Sequence, residues 1–151
     1  MEILTDNSQT KHPVNPTMID RKAEVILSAL GFNDEELSIL LIDDERMAAL
    51  NEEYRGKAGP TNVLSFSMRE GEFGDVTPLL GDVVISVETA FREASEAGIS
   101  LDERLSQLLV HGILHLVDYD HERSEADAEI MEAKSLELLR LIESNPQLSA
   151  F

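Results

Sequence analysis

Three of the chain's four histidines stand within eleven residues, in the run HGILHLVDYDH, as His111, His115 and His121. The spacing His-x3-His-x5-His is one that chemistry can use. Residues four apart on a helix lie one above the other on the same face, so His111 and His115 can offer two ring nitrogens to one ion about 2.0–2.1 Å away. A continuous helix would carry residue 121 about 600° past residue 115, onto another face. His121 can therefore join only if the chain leaves the helix near Val117 or Asp118 and doubles back. Three neutral imidazoles leave a fourth coordination position for water, the arrangement of a catalytic zinc rather than a structural one. The chain has no cysteine, so thiolate sites and disulfides are both excluded and any metal must be held by His, Asp or Glu. The competing account is that His111 and His115 are satisfied, partly buried helix residues and His121 a surface one. His12, in a polar N-terminal stretch, reads as an exposed residue.

The same ligand spacing occurs in the metzincin proteases, H-E-x-x-H-x-x-G-x-x-H. Two differences separate this chain from them. Gly112 stands where those enzymes put the glutamate that activates water, so a peptidase would lack its general base. Asp118 stands where they have the glycine of the turn, and some strain is expected there.

The elements that must position these residues can be read from pattern. Glu2 to Thr5 reads as a short strand, followed by a polar loop from Asp6 to Asn15. Asn15-Pro16 is an N-cap followed by proline at the first helical position. It opens a helix with Ile19, Ala23, Ile26, Leu27 and Leu30 at helical spacing, ended by Gly31. Leu37 to Ile42 is a strand feeding, through the cap and early acids Asp43-Asp44-Glu45, a helix that carries Met47, Leu50 and Tyr54. Gly56 to Pro60 is a turn and Val63 to Phe66 a strand. Glu70 to Pro78 reads as a mobile loop before an apolar strand from Leu80 to Val87. Helical spacing runs from Glu88 to Ala97, stops at Gly98, and restarts after Ser100 in a long helix through Leu105, Leu108, Leu109 and Leu116. A last helix from about Ser124 to Ile142 should turn Ile130, Met131, Leu138 and Leu141 inward. This order indicates an α+β or α/β domain, helices against a small sheet, with 1–151 as one unit; strand order is not readable.

The residues also carry a resemblance. HGILHLVDYDH is similar to the signature H-G-x-L-H-L-x-G-Y-D-H of the YbeY family, LNEEYRGKAGPTNVLSF looks like that family's second signature, and LLGDVVIS resembles its strand. The matches run from Leu50 to His121 in the family's order. Asp118 replaces a family glycine, and Ser67 stands where proline commonly follows LSF. The resemblance implies an α+β fold with a mixed sheet of about four strands, several helices and a metzincin-like zinc helix. It implies a zinc-dependent, single-strand-specific endoribonuclease that matures the 3′ end of 16S rRNA and serves ribosome quality control; a cytoplasmic home is expected separately, because MEILTDNSQTKHP does not read as a secretory signal. Its substrate is RNA within ribosomal particles, with ribosomal or assembly proteins as possible partners. One Zn2+ would be held by His111, His115 and His121, and Arg55 resembles the family's functionally important arginine.

Chemistry supports Arg55 separately, since a planar guanidinium fork suits phosphate oxygens and the negative charge that builds up during their displacement. Its competing account is a surface salt bridge with Glu52 or Glu53. Lys57 is a second candidate for phosphate, against a solvated turn charge. The general base stays open among Asp118, Asp120 and Glu122, and the nucleophile between metal-activated water and the ribose 2′-hydroxyl, whose attack would leave a cyclic phosphate. For Thr61, Asn62 and Ser65 a structural role is favoured over substrate contact.

Composition limits these readings. With 42% apolar and 28% charged residues the chain resembles an ordinary globular protein, without a run of about 18 apolar residues that could span a bilayer and without a secretory signal. A net charge of −18 opposes tight autonomous binding to a polyanion, because such affinity comes from Lys and Arg displacing counterions. Arg55, Lys57 and Arg69 nevertheless cluster around PTNVLSF. Two other functions follow from the same features: a zinc hydrolase or protease of metzincin-like geometry, and a ribosome-assembly factor with weak or no catalysis.

Overall fold

The computed structural model describes residues 1–68, 79–117 and 124–151. Asp118, Asp120, His121, Glu122, Arg69 and the loop expected from Glu70 to Pro78 lie outside them. Among the described residues the order is β1 (Glu2–Asn7), α1 (Pro16–Ala29), β2 (Glu36–Ile42), α2 (Asp44–Arg55), β3 (Val63–Ser67), β4 (Leu79–Ser86), α3 (Val87–Ala97), α4 (Leu101–Leu116) and α5 (Glu125–Ile142).

Local chemistry sets the ends of these elements. The Asn15 side chain accepts from the Thr17 amide and Pro16 supplies the first helical position of α1. Asp43 accepts from the Arg46 amide at the start of α2. Ser100 and Glu103 form a reciprocal capping box that opens α4. Where α2 stops, Gly56 takes the left-handed conformation, φ 65°, and turns the chain away directly after Arg55.

The four strands form one mixed sheet in the order β1-β2-β4-β3. The first three are parallel and β3 runs antiparallel on the edge, so the fold is α+β, as expected. Leu37, Ile39 and Leu41 of β2 and Val83 and Ile85 of β4 point to one face, where α1, α4 and α5 close the main core. Among the described residues the opposite face is covered by α2, through Met47 against Ile42, Leu64 and Val84. Among the described residues no helix is long and apolar enough to cross a membrane.

Two glycines let the sheet and α4 come close together. A Cβ on Gly81 would stand 2.2 Å from the Phe66 carbonyl oxygen and 2.9 Å from Leu116 Cδ2; this glycine, at φ 150°, sits where the β2–β4 register shifts. A Cβ on Gly112 would stand 2.7 Å from Val83 Cγ1.

Some expectations need correction. β1 runs on to Asn7, and Val87 opens α3 rather than closing β4. Ile130 and Leu141 are 57% and 55% exposed; the inward stripe of α5 is Met131, Ser135, Leu138 and Leu139. Ile130 and Leu141 are eleven residues apart, so they share one helix face, but it lies roughly 80–100° from Met131 and misses the core. His12 is half-buried rather than exposed, its ring stacked on Phe91 at 4.1 Å.

Candidate active site at the end of the histidine helix

Helix α4 enters with its acids Asp102 and Glu103 in the first turn, runs almost wholly buried, and ends at Leu116 with Val117 as its cap. The end falls where the histidine spacing requires a break. His111 and His115 lie one turn apart near that end, and their Nε2 atoms approach to 3.0 Å with ring centroids 4.5 Å apart. Two nitrogens each about 2.0–2.1 Å from one tetrahedral ion would be separated by about 3.3 Å. The pair therefore needs only a small adjustment to share a cation, and the donor set of neutral imidazoles suits a zinc-type ion. His121 lies outside the described residues. Among the described residues no cluster of three metal-ligating side chains forms.

These two histidines line a cleft of about 430 Å³ together with Arg55, Thr61, Asn62, Ser65, Ser67 and Phe151. Arg55 reaches it from the last turn of α2, across from α4. Among the described residues it makes no ion pair, and the expected alternative with Glu52 or Glu53 does not form. Lys57, two residues on, is exposed on the turn and is not part of the cleft lining. That turn is pinned from behind by Asn51, whose side chain donates to the Gly59 carbonyl at 2.9 Å.

The PTNVLSF residues serve the scaffold while lining the cleft. Ser65 donates to the Gly112 carbonyl at 2.8 Å, fastening β3 to α4 between the two histidines. Asn62 donates to the Glu93 carboxylate at 3.2 Å, and its carbonyl accepts from the Ser86 amide. Gly112, read from sequence as a missing general base, points its absent side chain at Val83, Ser65 and Val63 of the sheet. No glutamate could occupy this position without displacing the helix.

Three residues that pattern reading passed over belong to the same locality. Phe151 stacks on the His111 imidazole, centroids 4.0 Å apart and planes at 26°. Arg104 and Gln107 precede His111 by seven and four positions on an apolar helix, and both are buried. Buried polar side chains on the histidine face of an otherwise apolar helix were the available signal.

Comparison with known proteins identifies the family. A family model described as Endoribonuclease YbeY matches residues 4–143. A relative called Endoribonuclease YbeY from Geobacter sulfurreducens is 50% identical over 146 residues, covering 95% of this chain and 97% of the relative. Others of that name, from Aquifex aeolicus and Syntrophus aciditrophicus, are 48% and 38% identical, with 87% of each chain covered in the first case and 97% and 92% in the second. The solution structure of TM1509 from Thermotoga maritima matches the fold with a TM-score of 0.65 at 21% identity, over 96% of this chain and 98% of that one. With the family model and these relatives spanning nearly its whole length, the chain belongs to the YbeY family of endoribonucleases.

Proposed function

We propose that the chain is a metal-dependent endoribonuclease that cuts single-stranded RNA in the cleft between α4 and the end of α2, and that it acts in the cytoplasm on the 3′ end of 16S rRNA. The observation that carries this reading is the convergence of two imidazole Nε2 atoms to 3.0 Å in a cleft that Arg55 also lines. In this reading His111, His115 and His121 hold one zinc-type ion. A divalent ion so held supplies a Lewis acid and lowers the pKa of water toward neutrality.

The chain's own residues do the rest. Arg55, exposed at its base and unpaired among the described residues, offers its fork of N–H donors to the non-bridging oxygens of the scissile phosphate. Its positive charge offsets the negative charge that accumulates as the phosphorus becomes five-coordinate. With position 112 turned into the sheet, α4 carries no carboxylate between its two histidines for peptide hydrolysis.

A chain of −18 that holds few cations at its cleft is suited to a substrate presented by a larger particle, and ribosomal delivery is part of the proposal. Metal-loaded protein should cleave single-stranded RNA and leave casein intact. His115→Ala should lose stoichiometric zinc by elemental analysis, and Arg55→Ala should keep zinc but lose cleavage by about a hundredfold or more, the usual scale for one electrostatic donor. Casein cleavage, or RNA cleavage undiminished in both identically purified variants, would refute the assignment. End-group analysis of the RNA products identifies the nucleophile, since attack by the ribose 2′-hydroxyl leaves a cyclic phosphate.

A further inference from the structure

The segment after α5 runs along the histidine helix and is held there by buried polar groups. Asn145 donates to Glu103 Oε2 at 3.0 Å, Leu148 is buried in the core, and Gln107 Nε2 donates to the Ser149 carbonyl at 2.9 Å. Arg104 donates to the Phe151 carbonyl and to Gln107 Oε1, and pairs with Glu93 at 3.1 Å. Its guanidinium carbon also lies 4.8 Å from the Phe151 ring centroid. The tail thus advances from the first turn of α4 toward His111, and its last ring comes to rest on the imidazole.

Arg104 is 7% exposed and Gln107 2%. Releasing the tail would strip both of partners they cannot replace inside the fold, which makes displacement costly. The ring is consequently a fixed wall of the cleft rather than a removable cover.

From this geometry we infer that Phe151 is a positioning residue: its ring, anchored through Arg104 and Gln107, fixes the orientation of the His111 imidazole so that Nε2 is aimed at the ion before the ion arrives. This inference rests on the proposed metal role of His111. An imidazole on a helix can swing about its side-chain torsions, and holding one rotamer in advance removes part of the ordering cost of coordination. Aromatic stacking of this kind is worth enough to change affinity by about threefold to tenfold.

The test measures zinc affinity by competition with a chromophoric chelator, in wild type, Phe151→Ala, Phe151→Leu and Phe151→Trp. Phe151→Leu keeps apolar bulk but loses the stack, so it guards against a trivial folding defect in Phe151→Ala. Both should bind zinc about threefold to tenfold more weakly, while their metal-free melting temperatures stay close to wild type. Phe151→Trp should restore affinity. Because the chain has no other tryptophan, its emission should be strongly quenched when Co2+ replaces zinc. Zinc affinity within twofold of wild type in both Phe151→Ala and Phe151→Leu overturns the inference, whatever happens to stability. A wild-type protein that binds no zinc refutes the metal reading itself, and with it this inference; the two failures are distinguished by the wild-type titration.

Discussion

Gly112 shows how one residue type can serve two accounts. From sequence it is a lost glutamate; in the structure it is a contact point, because the hydrogen atom it carries in place of a side chain lets α4 approach β3 and β4. Gly112→Glu should therefore fail to create a peptidase. It should cost roughly 3 kcal/mol or more, from overpacking against Val83 and an unpaired buried carboxylate, and lower the melting temperature by about 6–12 °C. Casein cleavage by a variant as stable as wild type would contradict the packing argument. His111 and His115 were legible because helical spacing alone places them together. Phe151 was not: forty positions separate it from His111, and it is brought there by tertiary contacts, among them the hydrogen bonds from the buried Gln107 and Arg104. The sequence pattern also gave no hint that Asn62 is committed to Glu93.

Among the elements, the junction of α2 and α3 is tied by a cluster of side-chain hydrogen bonds centred on one carboxylate. Asp44, in the first turn of α2, accepts from Ser86, the N-cap of α3, at 2.7 Å, from Thr89 in its first turn at 2.6 Å and from Arg92 in its middle at 2.6 Å. Its own amide donates to Glu88. Burial alone would raise the Asp44 pKa, but the hydrogen bonds from Thr89, Ser86 and Arg92, with the charge of Arg92, outweigh it and hold the carboxyl below its ordinary value of 3.8. A depressed folded-state pKa means that this carboxylate contributes stability that is complete above the unfolded value, near pH 4. The contribution is lost as pH falls through the lower, folded one. Melting temperature measured from pH 7 down to pH 2 should thus drop more steeply below pH 4 in wild type than in Asp44→Asn. Parallel curves would show that the cluster stores nothing in this carboxylate. Helix starts such as Asn15-Pro16 and Asp43 were readable because capping is local. Strand order was not, since pairing β2 with β4 rather than β3 is decided by tertiary packing around parallel crossovers. The outward face of α5 misled for the related reason that Ile130 and Leu141 satisfy helical spacing with each other but not with Met131.

For the molecule as a whole, charge and cleft pull in opposite directions. A net −18 repels RNA at long range, and in the proposed reading Arg55, with Lys57 close by, would supply about one or two phosphate contacts. With a single-strand slope near −0.7 per phosphate neutralised, affinity for free single-stranded RNA should fall only about threefold to sevenfold between 50 and 200 mM salt. A filter-binding series showing a drop of a hundredfold or more would reveal a basic surface that the cleft lining does not contain. The same balance favours capture from a particle over capture from solution.

The thin seam that Gly81 and Gly112 create has a mechanical outcome. Leu116 and the Gly112 backbone are pressed against β4, and Ser65 fastens the same stretch from β3, so a shift of this part of α4 would have to carry the sheet with it. Arg55 lines the opposite side from the exposed end of α2. One wall of the cleft is therefore continuous with the core and the other stands in solvent, so a substitution that loosens the seam would be felt at His111 and His115 before it reached Arg55.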